Sequence, residues 1–279
     1  MKIRNGIRSA TVGFAIAAAT CASLAAQVRF SIVSSQLVEQ RLKGYKGNDS
    51  DREATVKSLF QSADCPAEKL AEQPVKGLKQ GNVICILPGS TDSLIVVGAH
   101  FDHVNAGDGV IDNWSGASML PSLYEALKTE PRKHTFIFVA FAGEEKGLVG
   151  SRFYVNNLTP DQLKRIEAMV NMDTLALGPT EVWASRSDQK LVSALHGMAL
   201  ALKLPLTGVN VDGVGVSDEE SFIHRKIPTI TIHSLTKETI RVLHNSRDNY
   251  GAVHFDDYYS TYRLLSGYLV LLDDRLAGQ

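Results

Sequence analysis

Residues 93–100 read SLIVVGAH, a run that is apolar at almost every position and ends in a histidine. A continuous apolar run of this kind is typical of a central strand that is buried on both faces of a parallel sheet. Two further runs, HTFIFVAFAG (134–143) and AMVNMDT (168–174), also predict buried strands. The three runs together predict the centre of one sheet.

Helical patterns alternate with the strands along the chain. The sequence predicts further strands at 82–87, 180–185 and 227–233, and helices at 51–62, 115–130, 145–158, 188–204 and 255–276. This alternation predicts an α/β fold, a three-layer α/β/α sandwich around a twisted, largely parallel central sheet. No linker or internal repeat interrupts the pattern, so one domain over residues 27–279 is the simplest interpretation.

The composition excludes several classes of protein. The chain has 279 residues, of which 44% are hydrophobic and 21% charged, values typical of a globular protein and not of a disordered or fibrous one. Its 29 Lys and Arg residues nearly balance 30 Asp and Glu residues, for a net charge of -1. This balance gives no indication of nucleic-acid binding.

The N-terminus, residues 1–26, has the pattern of a secretory signal peptide. Lys2, Arg4 and Arg8 precede an uncharged, Ala-rich run that ends in small residues, with cleavage expected after Ala25 or Ala26. We therefore predict an exported protein, periplasmic or secreted, without stable membrane insertion. A retained anchor is the alternative, but the run falls short of the roughly 20 strongly apolar residues that span a bilayer.

Two cysteines, Cys65 and Cys85, remain after the signal peptide. A single pair in an oxidising compartment predicts a disulfide bond, and two buried thiols are the alternative. Neither cysteine belongs to a C-x-x-C motif or has the spacing of a metal ligand.

Ionisable residues stand where each of the three buried strands ends: His100 and Asp102, Glu144 and Glu145, and Asp173. Ligands of open α/β sheets bind beyond the carboxyl ends of the strands. Because clustered buried carboxylates need compensating cations, these residues predict a metal site and not a set of solvated loop acids. A mixture of imidazole and carboxylate suits zinc or another first-row divalent ion.

Five short motifs occur in order along the chain: GAHFDH (98–103), IDNWSGAS (111–118), FAGEEKGLVGSRFY (141–154), VNMDT (170–174) and HNSRDN (244–249). They resemble the motifs of the M28 family of metallopeptidases, the bacterial leucyl-type aminopeptidases and their relatives. The resemblance implies a zinc exopeptidase fold and spans nearly all of residues 27–279.

The resemblance also implies a metal centre of two zinc ions. Its ligands would be His100 and Asp173 for one ion, Glu145 and His244 for the other, and Asp112 for both. A non-proline cis peptide bond is implied after the shared aspartate, between residues 112 and 113.

The implied reaction is the removal of N-terminal amino acids from peptides that have a free N-terminus. A water shared by the two ions would attack the peptide bond, with Glu144 as the general base. Asp102 would orient the ring of His100, as carboxylates commonly do behind metal-bound histidines. Asp248, four residues after His244, is a candidate for orienting that second histidine.

One segment departs from the family's pattern. Residues 213–222 read GVGVSDEESF where many relatives have SDHxxF, so Glu219 replaces a histidine. We predict that Asp218, Glu219 and Phe222 belong to the substrate pocket. We also predict that the acid of Glu219, near the pocket mouth, favours basic or amine-bearing groups.

Three other functions fit part of the pattern. A glutaminyl cyclase would share the fold and use a single zinc for acyl transfer, but it usually has Asp-Ser at positions 112–113 and an insertion after the Glu-Glu pair. A catalytically inactive ectodomain would have lost ligands or the base. An M28-like carboxypeptidase would need cationic side chains for the terminal carboxylate, for which Arg152, Arg225 and Arg247 are available.

Overall fold

The computed structural model describes residues 29–213 and 215–278. The predicted signal peptide, residues 1–26, lies outside this range. The strands span Leu70–Pro74 (β1), Gly81–Leu87 (β2), Leu94–His100 (β3), Thr135–Phe141 (β4), Ile166–Met172 (β5), Glu181–Val182 (β6), Thr207–Gly208 (β7) and Thr229–His233 (β8). The helices span Ser35–Leu42 (α1), Asp49–Ser62 (α2), Ser115–Leu127 (α3), Val149–Asn156 (α4), Pro160–Arg165 (α5), Gln189–Leu202 (α6), Glu219–Ile223 (α7) and Phe255–Leu276 (α8).

The described strands form one mixed sheet in the order β1-β2-β4-β3-β5-β8-β6-β7. Its centre is parallel, because β3 pairs in parallel with both β4 and β5, and β5 pairs in parallel with β8. β2 joins β4, and β6 joins β8, in the antiparallel sense. The predicted α/β fold with a largely parallel sheet is confirmed, and the carboxyl ends of four central strands lie along one edge.

Helices cover both faces of this sheet. On one side α3 packs against β3 and β4, with α1, α2 and α8 around it, while α4, α5 and α7 lie on the other side. Every residue of β3 is buried. Its successive side chains point to opposite faces of the sheet and pack in two different cores. Ile95 and Val97 belong to one core, and Leu94 and Val96 belong to the other. Burial on both faces explains why the run is apolar throughout.

The predicted helix at 145–158 begins only at Val149. Before it, the amide groups of Gly147 and Leu148 both donate to the carbonyl of Glu144, which forms a tight turn. Leu148 has φ 60°, a left-handed conformation that ends this turn before the helix starts. The turn keeps Glu144 and Glu145 in a loop at the end of β4 and out of the helix.

The predicted disulfide bond between Cys65 and Cys85 is confirmed. It joins the segment after α2 to strand β2, and both cysteines are buried. In the part of the chain that the structure describes, no helix is both long enough and apolar enough to span a bilayer.

His134, just before β4, is buried between two carboxylates far from the strand ends described above. Its Nδ1 lies 2.9 Å from Asp273 Oδ1 and its Nε2 lies 3.1 Å from Glu167 Oε2. Burial alone lowers the pKa of His134, but the hydrogen bonds to Asp273 and Glu167 outweigh it and raise the pKa. Burial alone raises the pKa of Asp273, but hydrogen bonds from His134 and Lys133 outweigh it and lower the pKa.

These shifts fix the pH range in which the pair stabilises the fold. The contribution of His134 is complete below its ordinary pKa and is lost as pH rises through the raised value. The contribution of Asp273 is present above its ordinary pKa and is lost as pH falls through the lowered value. The pair therefore stabilises the protein most between about pH 4 and pH 6.5.

We expect Asp273→Asn to lower the free energy of unfolding by about 2 kcal/mol near pH 5.5, and by less near pH 8.5. Asn keeps one oxygen for the amide groups of Lys133 and His134 but removes the charge. Urea unfolding at both pH values measures the difference. Asp274→Asn is the matched control, because Asp274 is exposed and pairs only with the exposed Lys133 in the described structure. An equal loss at both pH values would contradict the prediction.

Candidate active site

The acidic and histidine side chains predicted from the strand ends meet at the carboxyl edge of the sheet. His100 is the last residue of β3, the pair Glu144–Glu145 follows β4, and Asp173 follows β5. Asp112 comes from the turn before α3, and His244 from the loop between β8 and α8. Four loops and a strand end thus converge on one place.

The five predicted metal ligands form two groups that share Asp112. His100 Nε2 lies 3.3 Å from Asp112 Oδ1 and 3.5 Å from Asp173 Oδ1. His244 Nε2 lies 3.2 Å from Asp112 Oδ2 and 3.3 Å from Glu145 Oε2. The two oxygens of Asp112 therefore face different groups, and within each group the potential ligand atoms lie within 4.8 Å of one another.

The residues present fit a pair of divalent cations. Each group offers one imidazole and two carboxylates, a donor set that suits zinc better than calcium or magnesium. Glu145 Oε1 is buried and, in the described structure, has no hydrogen-bond partner. A buried carboxylate oxygen in that condition is costly unless a cation compensates it.

The electrostatics of the cluster show the same need for positive charge. Burial raises the pKa of Glu144 to about 10, against the opposing influence of His100. Burial and the charge of Asp112 raise the pKa of Glu145 to about 7. Burial alone raises the pKa of Asp112, but hydrogen bonds with His100 and His244 hold it well below its usual range.

Asp102 holds the loop that carries Glu144 and Glu145. Its Oδ1 accepts the amide N–H of Glu144 at 3.0 Å, and its Oδ2 accepts that of Glu145 at 3.3 Å. Toward His100, the backbone carbonyl of Asp102 lies 3.2 Å from Nδ1 and its carboxylate 3.7 Å. The group at hydrogen-bond distance from the ring is thus the backbone carbonyl of Asp102. Its carboxylate, which we predicted to accept the ring N–H, instead accepts the two amide groups of the loop after β4.

Asp248 supports Asp112 and not His244. Its two carboxylate oxygens accept the amide N–H groups of Ile111 at 2.7 Å and of Asp112 at 3.1 Å. The prediction from the four-residue spacing to His244 was wrong, because His244 lies in a loop at φ 56° and the spacing has no helical meaning there. The non-proline cis peptide bond that the family resemblance implied is present between Asp112 and Asn113.

Arg52, on helix α2, is a fully buried cation that the sequence analysis did not select. Its guanidinium donates to the carbonyl groups of Phe101 and Gly109, each at 3.1 Å, and to that of Asp108. These carbonyls belong to the loop that leads from His100 to Asp112. Arg52 therefore ties helix α2 to the segment between two predicted ligands.

We expect Arg52→Met to lower the free energy of unfolding by about 3 kcal/mol and to weaken metal binding. The buried carbonyls would lose their donors, and the loop that sets the position of Asp112 would loosen. Chemical denaturation and a chelator titration measure the two effects. Lys57→Met, on the same helix, is the matched control, because Lys57 is partly exposed and pairs only with Glu72 in the described residues. Equal behaviour of the two variants would contradict this role for Arg52.

A cavity of about 280 Å³ opens beside the two ligand groups. Its apolar walls include Trp183, Val211, Val216, Leu235 and Leu243. Its polar lining includes Glu144, Glu145, Arg152, Asp173, Ser217, Thr231 and His233. The cavity offers an apolar recess for a side chain directly beside Glu144.

The predicted pocket residues Asp218, Glu219 and Phe222 do not line this cavity. All three are completely buried, and the preceding residues, 215–217, face the cavity instead. Glu219 is at the start of α7, where it bonds to Arg186 Nε at 2.9 Å. The prediction of an acid at the pocket mouth was wrong, because α7 turns this side chain into the interior, where Arg186 neutralises it.

Comparison with known proteins assigns the family. The model of peptidase family M28 matches residues 82–268. This chain belongs to peptidase family M28. The M28 match begins at β2, so that α2 with Arg52 lies before it.

Individual M28 relatives match only part of this chain, at moderate sequence identity. The chain is 31% identical over 169 residues to the probable lipoprotein aminopeptidase LpqL of Mycobacterium tuberculosis. The matched region covers 57% of this chain and 34% of LpqL. The chain thus spans about a third of that relative.

The solved structures that resemble this chain share its fold. The LapA aminopeptidase of Legionella pneumophila superposes with a TM-score of 0.76 at 20% identity, over 86% of this chain and 72% of LapA. A glutaminyl cyclase from an Acidobacteriales bacterium superposes with a TM-score of 0.71 at 19% identity, over 86% of this chain and 94% of the cyclase. At these identities the likeness extends to the fold alone.

Proposed function

We propose that this M28 chain is a di-zinc aminopeptidase, which removes N-terminal amino acids from peptides that have a free N-terminus. The observation that carries the proposal is the position of Asp112, whose two carboxylate oxygens face two separate ligand groups. A single-zinc enzyme would need only one of these groups. The similarity to LpqL, a probable lipoprotein aminopeptidase, and to the LapA aminopeptidase supports the choice of reaction.

Five residues would hold the metal ions: His100 and Asp173 one ion, Glu145 and His244 the other, and Asp112 both. When bound, such a pair lowers the pKa of a shared water and polarises the scissile carbonyl. The chain supplies the geometry, because Asp248 fixes Asp112 and Asp102 fixes the loop of Glu145.

Glu144 is the proposed general base. Its side chain belongs to neither ligand group, yet it lines the cavity beside them. The carboxylate of Asp102 holds its backbone amide in place. Glu144 would accept the proton of the attacking water and deliver it to the departing amine, the usual role of a carboxylate in this position.

We further propose that residues 27–279 form one exported domain, periplasmic or secreted, after removal of residues 1–26. The disulfide bond between Cys65 and Cys85 supports export, because such bonds persist in oxidising compartments. The charge balance of the chain gives no reason to expect nucleic acid among its partners.

A panel of aminoacyl anilides, assayed with metal-quantified protein before and after chelation, tests the reaction. We expect hydrolysis of anilides with a free α-amine, loss of activity with chelator, recovery with zinc, and no hydrolysis of N-acetylated substrates. A peptide with N-terminal glutamine is included, since pyroglutamyl formation would identify a cyclase. Release of only C-terminal residues from peptides would identify a carboxypeptidase. Either result would overturn the proposal.

A further inference from the structure

Arg152, an exposed residue on the first turn of α4, is among the residues that line the cavity beside Glu144 and Glu145. Among the described residues that line this cavity, it is the one Lys or Arg side chain. The remaining lining is apolar, acidic, histidine or small and polar. Arg152 therefore supplies the one permanent positive charge among the described lining residues.

This guanidinium has no partner of its own in the described part of the chain. No hydrogen bond, ion pair or aromatic contact involves it, whereas Arg52 and Arg186 are held by several groups each. Nor is Arg152 the counter-ion of the ligand acids. The cations that act most strongly on Glu145 are His100 and His244, and on Glu144 it is His100.

Arg152 is linked to the loop of Glu144 by two consecutive turns. The amide of Leu148 donates to the carbonyl of Glu144, and the amide of Arg152 donates to the carbonyl of Leu148. Glu144, Leu148 and Arg152 all line the cavity. The apolar walls of the cavity suit the side chain of the N-terminal residue, which leaves the charge of Arg152 for the residue that follows it.

We propose that Arg152 forms a subsite for a carboxylate on the residue that follows the scissile bond. Guanidinium groups bind carboxylates through paired, charge-assisted hydrogen bonds, and the free donors of Arg152 suit such a ligand. The carboxylate has two sources: the C-terminus of a dipeptide, or the side chain of Asp or Glu as the second residue. The inference rests on the proposed aminopeptidase function and narrows its preferred substrates to these two kinds.

Steady-state kinetics on two matched substrate pairs test the subsite. Leu-Ala is compared with Leu-Ala amide for the terminal carboxylate, and Leu-Asp amide with Leu-Asn amide for the side chain. We expect the wild-type kcat/KM to favour the acid in at least one pair by about tenfold or more. Arg152→Gln should bring that ratio to about one, and Arg152→Lys should restore part of it because Lys keeps the charge.

Arg225→Gln is the matched control, because Arg225 is exposed, lies outside the cavity lining, and bonds to Asn156 at 2.6 Å. This variant should keep the wild-type ratio for both pairs. A wild-type enzyme that hydrolyses all four substrates without preference overturns the subsite alone. The same holds if Arg152→Gln preserves the ratio. If the metal-loaded wild type hydrolyses none of the four substrates and no leucyl anilide, both the proposed function and the subsite are overturned.

Discussion

Glu144→Gln is expected to lower the kcat for a leucyl anilide by about 10²- to 10⁴-fold while the protein keeps the same zinc content as the wild type. Gln has nearly the same shape but cannot accept a proton from the attacking water. The side chain of Glu144 belongs to neither candidate ligand group, and its backbone amide is held by Asp102, so we expect the substitution to leave the ligand groups in place. Loss of turnover without loss of metal is the signature of a base that is not a ligand.

Zinc content by mass spectrometry and kcat by anilide hydrolysis are measured on the same preparations. Glu72→Gln is the control, since Glu72 is exposed and pairs with Lys57 far from the cavity. A variant that keeps wild-type turnover would remove Glu144 from the proposed mechanism. A variant that loses zinc in proportion to activity would make Glu144 a ligand instead.

Much of this site could be predicted from the sequence because strand ends place residues at a known edge. Three apolar runs predict parallel central strands, and the carboxyl ends of such strands meet. His100, Glu145 and Asp173 follow those runs directly, so the strands alone bring them together. Asp112 and His244 lie in loops without periodicity, and only the resemblance of their motifs indicated them.

The partners of the supporting residues could not be predicted because the contacts join residues that are far apart along the chain. Arg52 donates to backbone carbonyl groups, which every residue type has. The sequence around Phe101 and Gly109 therefore does not indicate that an arginine binds there. Asp248 likewise binds amide groups more than a hundred residues away. The position of Glu219 was predicted wrongly because a motif gives the order of residues along the chain. It does not show which side chains of a short helix point into the protein interior. α7, with five residues, shows no periodic pattern from which its buried face could be inferred.

The second large effect is expected for the shared ligand. Asp112→Asn should reduce zinc binding in both groups and lower kcat/KM by at least about 10²-fold. In the protein one oxygen of Asp112 faces His100 and the other faces His244, so both groups depend on the same carboxylate. Asn offers one oxygen without charge, and its amide group repels a cation at the other position.

Asp173→Asn separates this role from that of an ordinary ligand. Asp173 faces His100 but not His244 in the described structure, so its substitution should weaken the binding of one ion and leave the other group intact. A stepwise zinc titration, followed by calorimetry, should show two binding events in the wild type, one in Asp173→Asn and weakened binding at both sites in Asp112→Asn. If Asp112→Asn retained one site of wild-type affinity, its two oxygens would serve a single ion. The pairwise arrangement of ligands around it would then be a feature of packing and not of a two-metal centre.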